Sequence, residues 1–441
     1  MHYIRLLRPP AIGHLPKGRS TISLVLTVTT DLGDTFLYPE EPIELGFCLA
    51  SHGSTEGPTK LFPAGQSSSS WQPGMRVLKT SLALHEPLRA ETAAAAVLVI
   101  FALDTPALQV SLSSSAQILP WHDAAGAKPC NGLIAPLSVE ISAARTAADV
   151  AIRDIVLACG ETSSVQISIE EDMGESIARH IWDAGLTTAA FLADACWNEE
   201  SPKSTTQLFS LEDKQTLNIL ELGCGVGVLG ISIAVLMPQI LQRASSRPRE
   251  PYILMTDLPE ARERACSNIA RFQAHRACAG SKAQLEYEDL DWNDGSLGSF
   301  GPKACARAWD LVVLSDCTYN VDVFPLLVKT LSAIHLHNSK MRPIKDDKEA
   351  SCTTRVLLST KPRHDSEAAL FKQLASEGWS HTLEISIPML KINEQDEVVE
   401  IYSFTKATTR NGTGPSAHKL KRKASNSGET PTKKTTNKPS R

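Results

Sequence analysis

Residues 217–227 read Leu-Asn-Ile-Leu-Glu-Leu-Gly-Cys-Gly-Val-Gly, and no other stretch limits the fold of this chain so tightly. A short apolar run, Leu217 to Leu222, has the length and character of a buried strand. It carries one acid near its end, Glu221, and passes into a turn with glycines at 223, 225 and 227. A helical pattern follows at once through Val228, Leu229, Ile231, Ile233 and Ala234. A strand, a glycine turn and a helix N-terminus together let backbone approach a bound nucleoside closely.

Two glycine spacings overlap in this turn. Gly223-x-Gly225-x-Gly227 suits an adenosyl cofactor without phosphates, whereas Gly225-x-Gly227-x-x-Gly230 also satisfies the dinucleotide fingerprint. Glu221 separates them, because a carboxylate just before the turn repels a pyrophosphate and attracts a cation. S-adenosylmethionine has a sulfonium, an ammonium and no phosphate, and it is the expected ligand. A dinucleotide, or a turn that binds nothing, remains the competing reading.

The flanking sequence divides the chain into three expected regions. Residues 1–160 are β-rich: Ile22–Thr29, Ile43–Leu49, Arg76–Leu84, Val97–Leu103 and Leu133–Ile141 are short strand candidates between Gly/Ser/Pro loops. This pattern suggests a small sandwich or barrel, and no catalytic constellation lies in it. Residues 161–405 alternate strand and helix, the mark of an α/β domain with a mainly parallel sheet. Strands are expected at Val165–Ile169, Leu217–Leu222, Tyr252–Thr256, Gln284–Leu290, Leu311–Ser315 and Arg355–Ser359. Helices are expected at Gly174–Cys196, Glu260–His275, Val323–His335 and Ser366–Glu377. The runs Thr382–Met389 and Val398–Phe404 close the domain as an antiparallel hairpin, where a dinucleotide fold would add a sixth parallel strand.

Residues 406–441 are polar, basic and aperiodic, and the composition predicts a disordered tail. This segment carries ten Lys or Arg and one acid, which leaves residues 1–405 at −14 against a chain total of −5. An acidic body disfavours nucleic acid and suits a basic protein partner. The clusters Lys419–Lys423 and Lys433-Lys434 suit a nuclear-import receptor. The ten cysteines form no Cys-x-x-Cys, so no metal site is expected, and the longest apolar run, Ala93–Leu103, is too short to cross a bilayer. These features predict an intracellular protein, in the nucleus, the cytoplasm or both.

Three further strand ends carry chemistry. Met255-Thr256-Asp257-Leu258 places a carboxylate where both ribose hydroxyls can donate to it, with a cap on the next helix as the alternative role of Asp257. Leu290-Asp291-Trp292 offers an indole to stack on adenine, with core packing as the alternative. Ser315-Asp316-Cys317-Thr318-Tyr319 sets a carboxylate and a phenol three apart on a loop leaving the sheet's C-terminal edge. There they can face one another across a substrate channel, unless Asp316 caps the following helix.

Glu221-Leu-Gly-Cys-Gly-Val-Gly, Asp257, Leu-Asp291-Trp292 and Asp316-x-x-Tyr319 together resemble the seven-β-strand methyltransferases. More narrowly they are similar to family 16, the protein lysine methyltransferases of non-histone substrates. The Trp-Asp-Ala element of that family resembles Trp182-Asp183-Ala184, on a helix that covers the cofactor. The resemblance spans residues 161–405 and implies a Rossmann-like seven-stranded sheet. It implies cofactor contacts from Trp182, Gly223, Gly225, Asp257, Trp292 and Ser315, and the neighbouring Glu221, Cys224, Gly227, Leu258 and Asp291 complete the expected set. Asp316 and Tyr319 become the catalytic pair, acting on a lysine of a protein substrate. Another acceptor (histidine, an N-terminus or a small molecule) or a non-catalytic binding module are the alternatives.

Overall fold

The computed structural model describes residues 1–14, 20–51, 58–84, 96–103, 112–113, 118–122, 133–141, 149–158, 164–173, 177–198, 208–209, 216–242, 251–342, 352–389 and 397–408. The basic clusters at Lys419–Lys434 therefore lie outside the described residues. Lys406–Thr408, read as the start of the tail, instead complete the last strand.

The N-terminal β-rich region forms one sheet of thirteen strands. In chain order they are β1 (His2–Leu6), β2 (Ala11–His14), β3 (Ser20–Thr30), β4 (Ile43–Ser51), β5 (Thr59–Pro63), β6 (Ser70–Trp71), β7 (Leu78–Leu84), β8 (Ala96–Ala102), β9 (Leu112–Ser113), β10 (Ile134–Ala135), β11 (Leu137–Ile141), β12 (Val150–Ala158) and β13 (Ser164–Asp172). The pairing path runs β10-β1-β3-β7-β5-β4-β8-β11-β12-β13. Only Pro136 separates β10 from β11. One half of that run pairs with β1 and the other with β8, so the sheet curls into a barrel. Proline suits the break because it has no N–H to give to either ladder. The Pro136 carbonyl accepts from Arg153 Nη1 at 2.6 Å, and the same guanidinium reaches the Ile4 carbonyl and the Glu171 carboxylate. Alternate residues of β3, β4, β7 and β8 fill the barrel with Leu24, Leu26, Phe47, Leu82, Leu98 and Ile100, around a fully buried Trp71.

Seven further strands form the second sheet: β14 (Asn218–Leu222), β15 (Tyr252–Asp257), β16 (Gln284–Asp289), β17 (Leu311–Ser315), β18 (Cys352–Thr360), β19 (Ser380–Pro388) and β20 (Val398–Thr408). Their order is β16-β15-β14-β17-β18-β20-β19. Pairing is parallel through β18 and antiparallel for β20 and β19. This is the Rossmann-like, mainly parallel seven-stranded sheet with a terminal antiparallel hairpin that the resemblance implied. The order reverses between β14 and β17, and open α/β sheets bind ligands at the carboxyl ends of strands beside such a switch point.

The α-helices whose bounds lie among the described residues are α1 (Asp183–Trp197), α2 (Val228–Gln242), α3 (Arg262–Ala279), α4 (Trp292–Ser296), α5 (Pro302–Cys305), α6 (Phe324–Met341) and α7 (Ala368–Ser376). The helix expected over Gly174–Cys196 is shorter, a 3-10 turn at Ile177–Arg179 and then α1. Every residue of α1 from Asp183 to Cys196 is buried. It packs against α2, β18 and β20 on one side and against β12 of the barrel sheet on the other. A helix apolar on all faces needs cover on all faces. The resemblance gave it the role of covering the cofactor, and it is also a central element shared by both sheets.

The strand expected at Val165–Ile169 is β13, and it pairs along its whole length with β12 in the first sheet. Its Glu170 is tied to the second sheet's α3. The carboxylate accepts from Arg271 Nε at 2.7 Å and Arg264 Nη1 at 3.0 Å, and the Glu170 amide donates to Asn268 at 2.7 Å.

Candidate active site

The carboxyl ends of β14, β15 and β17, with the start of α4 and the approach to α1, enclose a cavity of 570 Å³. Gly223, Gly225 and Gly227 have φ of 65°, 54° and 89°, the left-handed region that side chains disfavour. A Cβ on Gly223 would stand 2.6 Å from Cys317 Sγ, and one on Gly227 would stand 2.2 Å from Met255 Cε. The turn is thus wedged between neighbouring strands while its outer edge stays open to the cavity.

Eleven of the thirteen expected site residues line this cavity: Trp182, Gly223, Cys224, Gly225, Asp257, Leu258, Asp291, Trp292, Ser315, Asp316 and Tyr319. Glu221 and Gly227 do not. Glu221 corrects the expectation of an acid facing the ligand. Its side chain leaves β14 toward α2 and packs where a Cβ on Gly230 would come within 2.3 Å of Oε2. Neither carboxylate oxygen has a hydrogen-bond partner that meets normal geometry. Burial pushes its pKa up to about 8, helped by the charge of Asp257 and opposed by the Gly230 amide. Gly230, which completed the dinucleotide spacing, therefore makes room for a buried acid under the helix.

The cavity's own lining supplies the electrostatic argument that Glu221 was expected to supply. Among the described residues it contains Asp257, Glu260, Asp291 and Asp316, one histidine, His180, and no lysine or arginine. Four carboxylates favour a sulfonium with an ammonium over a pyrophosphate. Asp257 braces the glycine turn: Oδ2 accepts from the Gly225 amide and Oδ1 from the Leu258 amide, both at 2.7 Å. Burial raises its pKa and these two amides oppose the shift. Each oxygen keeps a further lone pair for a ribose hydroxyl. Asp291 caps α4, with Oδ1 accepting from the Asn293 amide at 2.8 Å, and so presents Trp292 to the cavity at the first helical position. Trp182 is held by its Nε1 donating to the Ile177 carbonyl at 3.0 Å. These residues fit S-adenosylmethionine: a glycine cradle, a carboxylate at the ribose position, two indoles and no phosphate partner.

Asp316 has a φ of 53°, the only non-glycine residue with positive φ among the described residues. Strain at one position persists only where surrounding contacts hold it. Its Oδ2 accepts from the Ala184 amide at 2.8 Å and the Gly185 amide at 3.3 Å. It therefore caps α1, an element far away in sequence. The turn after Asp316 is capped by Asn320, whose side chain accepts from the Asp322 amide. Burial pushes the Asp316 pKa up to about 7; Asp31 and Asp183 add to the rise, and Arg363 and the Ala184 amide oppose it. Tyr319 stands at the rim, half exposed.

The residues behind Asp316 are not among the expected site residues. Arg363, just past β18, donates to Asp31 Oδ2 at 2.7 Å and Oδ1 at 3.2 Å, lies 3.9 Å from Asp316 Oδ1, and has its guanidinium 5.5 Å from the Trp182 ring centroid. Asp31 follows β3 of the barrel and also accepts from the Asp183 amide at 3.2 Å. Asp183 is fully buried against the Tyr3 hydroxyl at 2.7 Å, Lys361 Nζ at 2.9 Å and the Met1 amine at 3.2 Å. Burial alone would raise its pKa, but the Met1 and Lys361 charges and the Tyr3 hydroxyl hold it at about 2. The position of Arg363 at a parallel strand's carboxyl end was the available clue. Nothing in the barrel sequence distinguishes Asp31 from a turn residue.

A family model described as lysine methyltransferase matches residues 161–377. A UPF0665 family protein of Schizosaccharomyces pombe is 27% identical over 47% of this chain and 49% of its own length. The protein-lysine N-methyltransferase EFM6 of Saccharomyces cerevisiae is 27% identical over 37% of this chain and 61% of its own. The chain thus spans about half to three fifths of these curated relatives. Among solved structures, Pyrococcus horikoshii TYW2 in complex with MeSAdo aligns over 59% of this chain and 73% of its own, at 12% identity and a TM-score of 0.28.

Proposed function

We propose, for a chain whose residues 161–377 belong to the lysine methyltransferase family, that it transfers methyl groups from S-adenosylmethionine to lysine side chains of a protein substrate. The observation that carries this reading is the Asp316 carboxylate, its side chain 7% exposed, on the wall of a cavity that among the described residues is lined by four acids and no lysine or arginine, with Tyr319 at its rim.

When bound, S-adenosylmethionine supplies an electrophilic methyl group on a sulfonium. The chain's part is alignment and exclusion of water. The glycine turn and Asp257 hold the adenosyl end, and Trp292 and Trp182 close on it. A lysine amine has a pKa of about 10.4, so at pH 7 only about one in 10³ is neutral. Asp316 holds the arriving ammonium and Tyr319 orients it at the rim. A neighbouring anion raises an ammonium's pKa, so Asp316 positions the amine while the apolar surroundings favour its neutral form. The proton leaves to water at the open rim. An acceptor cation in turn favours the ionised form of Asp316, which burial disfavours.

An acidic folded body supports a basic substrate surface. The test is incubation of the purified protein with methyl-labelled S-adenosylmethionine and cell lysate, followed by mass spectrometry of labelled bands. Methylated lysine on a protein supports the reading. Label confined to histidine, N-termini or small molecules, or no label at all, contradicts it.

A further inference from the structure

The barrel is covalently remote from the cavity, yet it supplies the carboxylate that holds the guanidinium beside Asp316. Asp31 and Asp316 come from different sheets and cap the same helix end: Asp31 takes the Asp183 amide, and Asp316 takes the amides of Ala184 and Gly185. Arg363 lies between them, paired through two nitrogens with Asp31 and 3.9 Å from Asp316 Oδ1. That bidentate pair fixes the guanidinium plane, and the plane fixes how far its charge stands from Asp316. We propose that Asp31 and Arg363 are positioning residues of the methyltransferase site, setting the orientation and ionisation of Asp316, so that the barrel is a working part of that site. This rests on the lysine-transfer reading for its role in catalysis, but not for the coupling itself.

Asp316 sits among charges from every element packed on it. Asp183 comes from α1, Asp31 from the barrel, and Arg363 from the loop after β18. Lys361 of that same loop is 2.9 Å from Asp183 and 3.8 Å from Asp31. The Met1 amine also neutralises Asp183, and Tyr319 is at the rim. Asp31 opposes ionisation of Asp316 and Arg363 favours it, in agreement with the direction each exerts on the Asp316 carboxyl. Removing Asp31 alone both deletes a repelling charge and releases Arg363 toward Asp316. Removing Arg363 alone leaves the two acids facing each other.

The experiment uses the full chain and needs no substrate. The melting temperature is followed from pH 5 to 9 in pairs with and without Asp316→Asn, on wild-type, Asp31→Asn, Arg363→Gln and Asp31→Asn/Arg363→Gln backgrounds. A carboxyl with a raised folded pKa loses stability as pH climbs from its unfolded value through the folded one. The gain from Asp316→Asn should therefore grow with pH and level off where Asp316 has ionised. That levelling should move down by about one pH unit, a tenfold change in proton affinity, in Asp31→Asn, and up in Arg363→Gln. The double variant, which leaves neither charge unpaired, should fall between them and serves if a single variant fails to fold. Shifts in one common direction, or no shift, would overturn the proposal and leave the cluster a structural one. Where wild type also transfers methyl groups, the acidic limb of kcat should follow the same order. Absence of transfer would count against the functional reading while the order of titration still decides the coupling.

Discussion

The Asp316 carboxylate accepts a hydrogen bond from the Ala184 amide at 2.8 Å, so the side chain assigned to the acceptor amine also caps the helix shared by the two sheets. The loop that carries Asp316 and the junction between the sheets are therefore not separable, and substitutions in one register in the other.

Asp316→Asn should preserve the cap, because an amide oxygen still accepts from Ala184, while removing the charge proposed to hold the acceptor. Transfer is expected to fall by about 10² or more, the scale of losing one strong charge-assisted contact in the transition state, with cofactor affinity within a few-fold. Calorimetric titration with the cofactor, beside steady-state kinetics, checks the split. Asp316→Ala should add about 1 kcal/mol of instability from the lost cap. Equal loss of cofactor affinity and turnover would place Asp316 with the cofactor instead.

Gly227→Ala should destabilise the fold by about 2–4 kcal/mol, combining a left-handed backbone with overpacking against Met255. Its Cβ would lie 2.2 Å from Met255 Cε. Gly225→Ala meets nothing closer than the Ala178 carbonyl at 3.5 Å. It should cost about 1 kcal/mol of stability, from the backbone alone, and chiefly weaken cofactor binding. Urea denaturation and binding titration on both variants separate the two effects.

Glu221 gives the fold a pH dependence of defined sign. Its folded pKa, about 8, stands above the ordinary carboxyl value, so its contribution is full in acid and is lost as pH rises from there through 8. Glu221→Gln mimics the neutral acid. Its stability relative to wild type should improve by about 1.4 kcal/mol per pH unit across that window. Parallel denaturation curves for the two proteins at pH 5 and 8.5 would show that the carboxyl ionises normally.

Expression of residues 161–441 alone should give insoluble protein. That segment removes β12 from β13 and exposes one side of α1, whose residues are buried from Asp183 to Cys196. Solubility and circular dichroism of the fragment check this, and a folded monomer would show that the second sheet stands without the barrel.

Much of the second sheet was legible because parallel strands buried on both faces read as short apolar runs between helical patterns. Leu311–Ser315 matches to the residue, and the closing hairpin is present. The cavity lining was legible for a related reason: several of the expected residues lie at or just beyond the carboxyl end of a strand, as Asp257 does at the end of β15. Glu221 misled because sequence shows that an acid precedes the turn but not which face of β14 it leaves from. In the barrel, β1, β2, β5, β6, β9 and β12 were missed, several being only two to five residues long and lacking a periodic signal. Asp31 and Arg363 could not be paired from sequence, since their meeting depends on how two separately coded sheets pack around α1.

The most direct measurement is residue-level mass spectrometry of one purified acceptor protein, found by lysate labelling, after reaction with wild type and with Asp316→Asn at matched cofactor saturation. Methyl groups on a defined lysine with wild type, and about a hundredfold fewer with Asp316→Asn, is the predicted result. Methylation on a residue other than lysine, or equal lysine methylation by both proteins, would contradict the assignment of Asp316 to the acceptor amine.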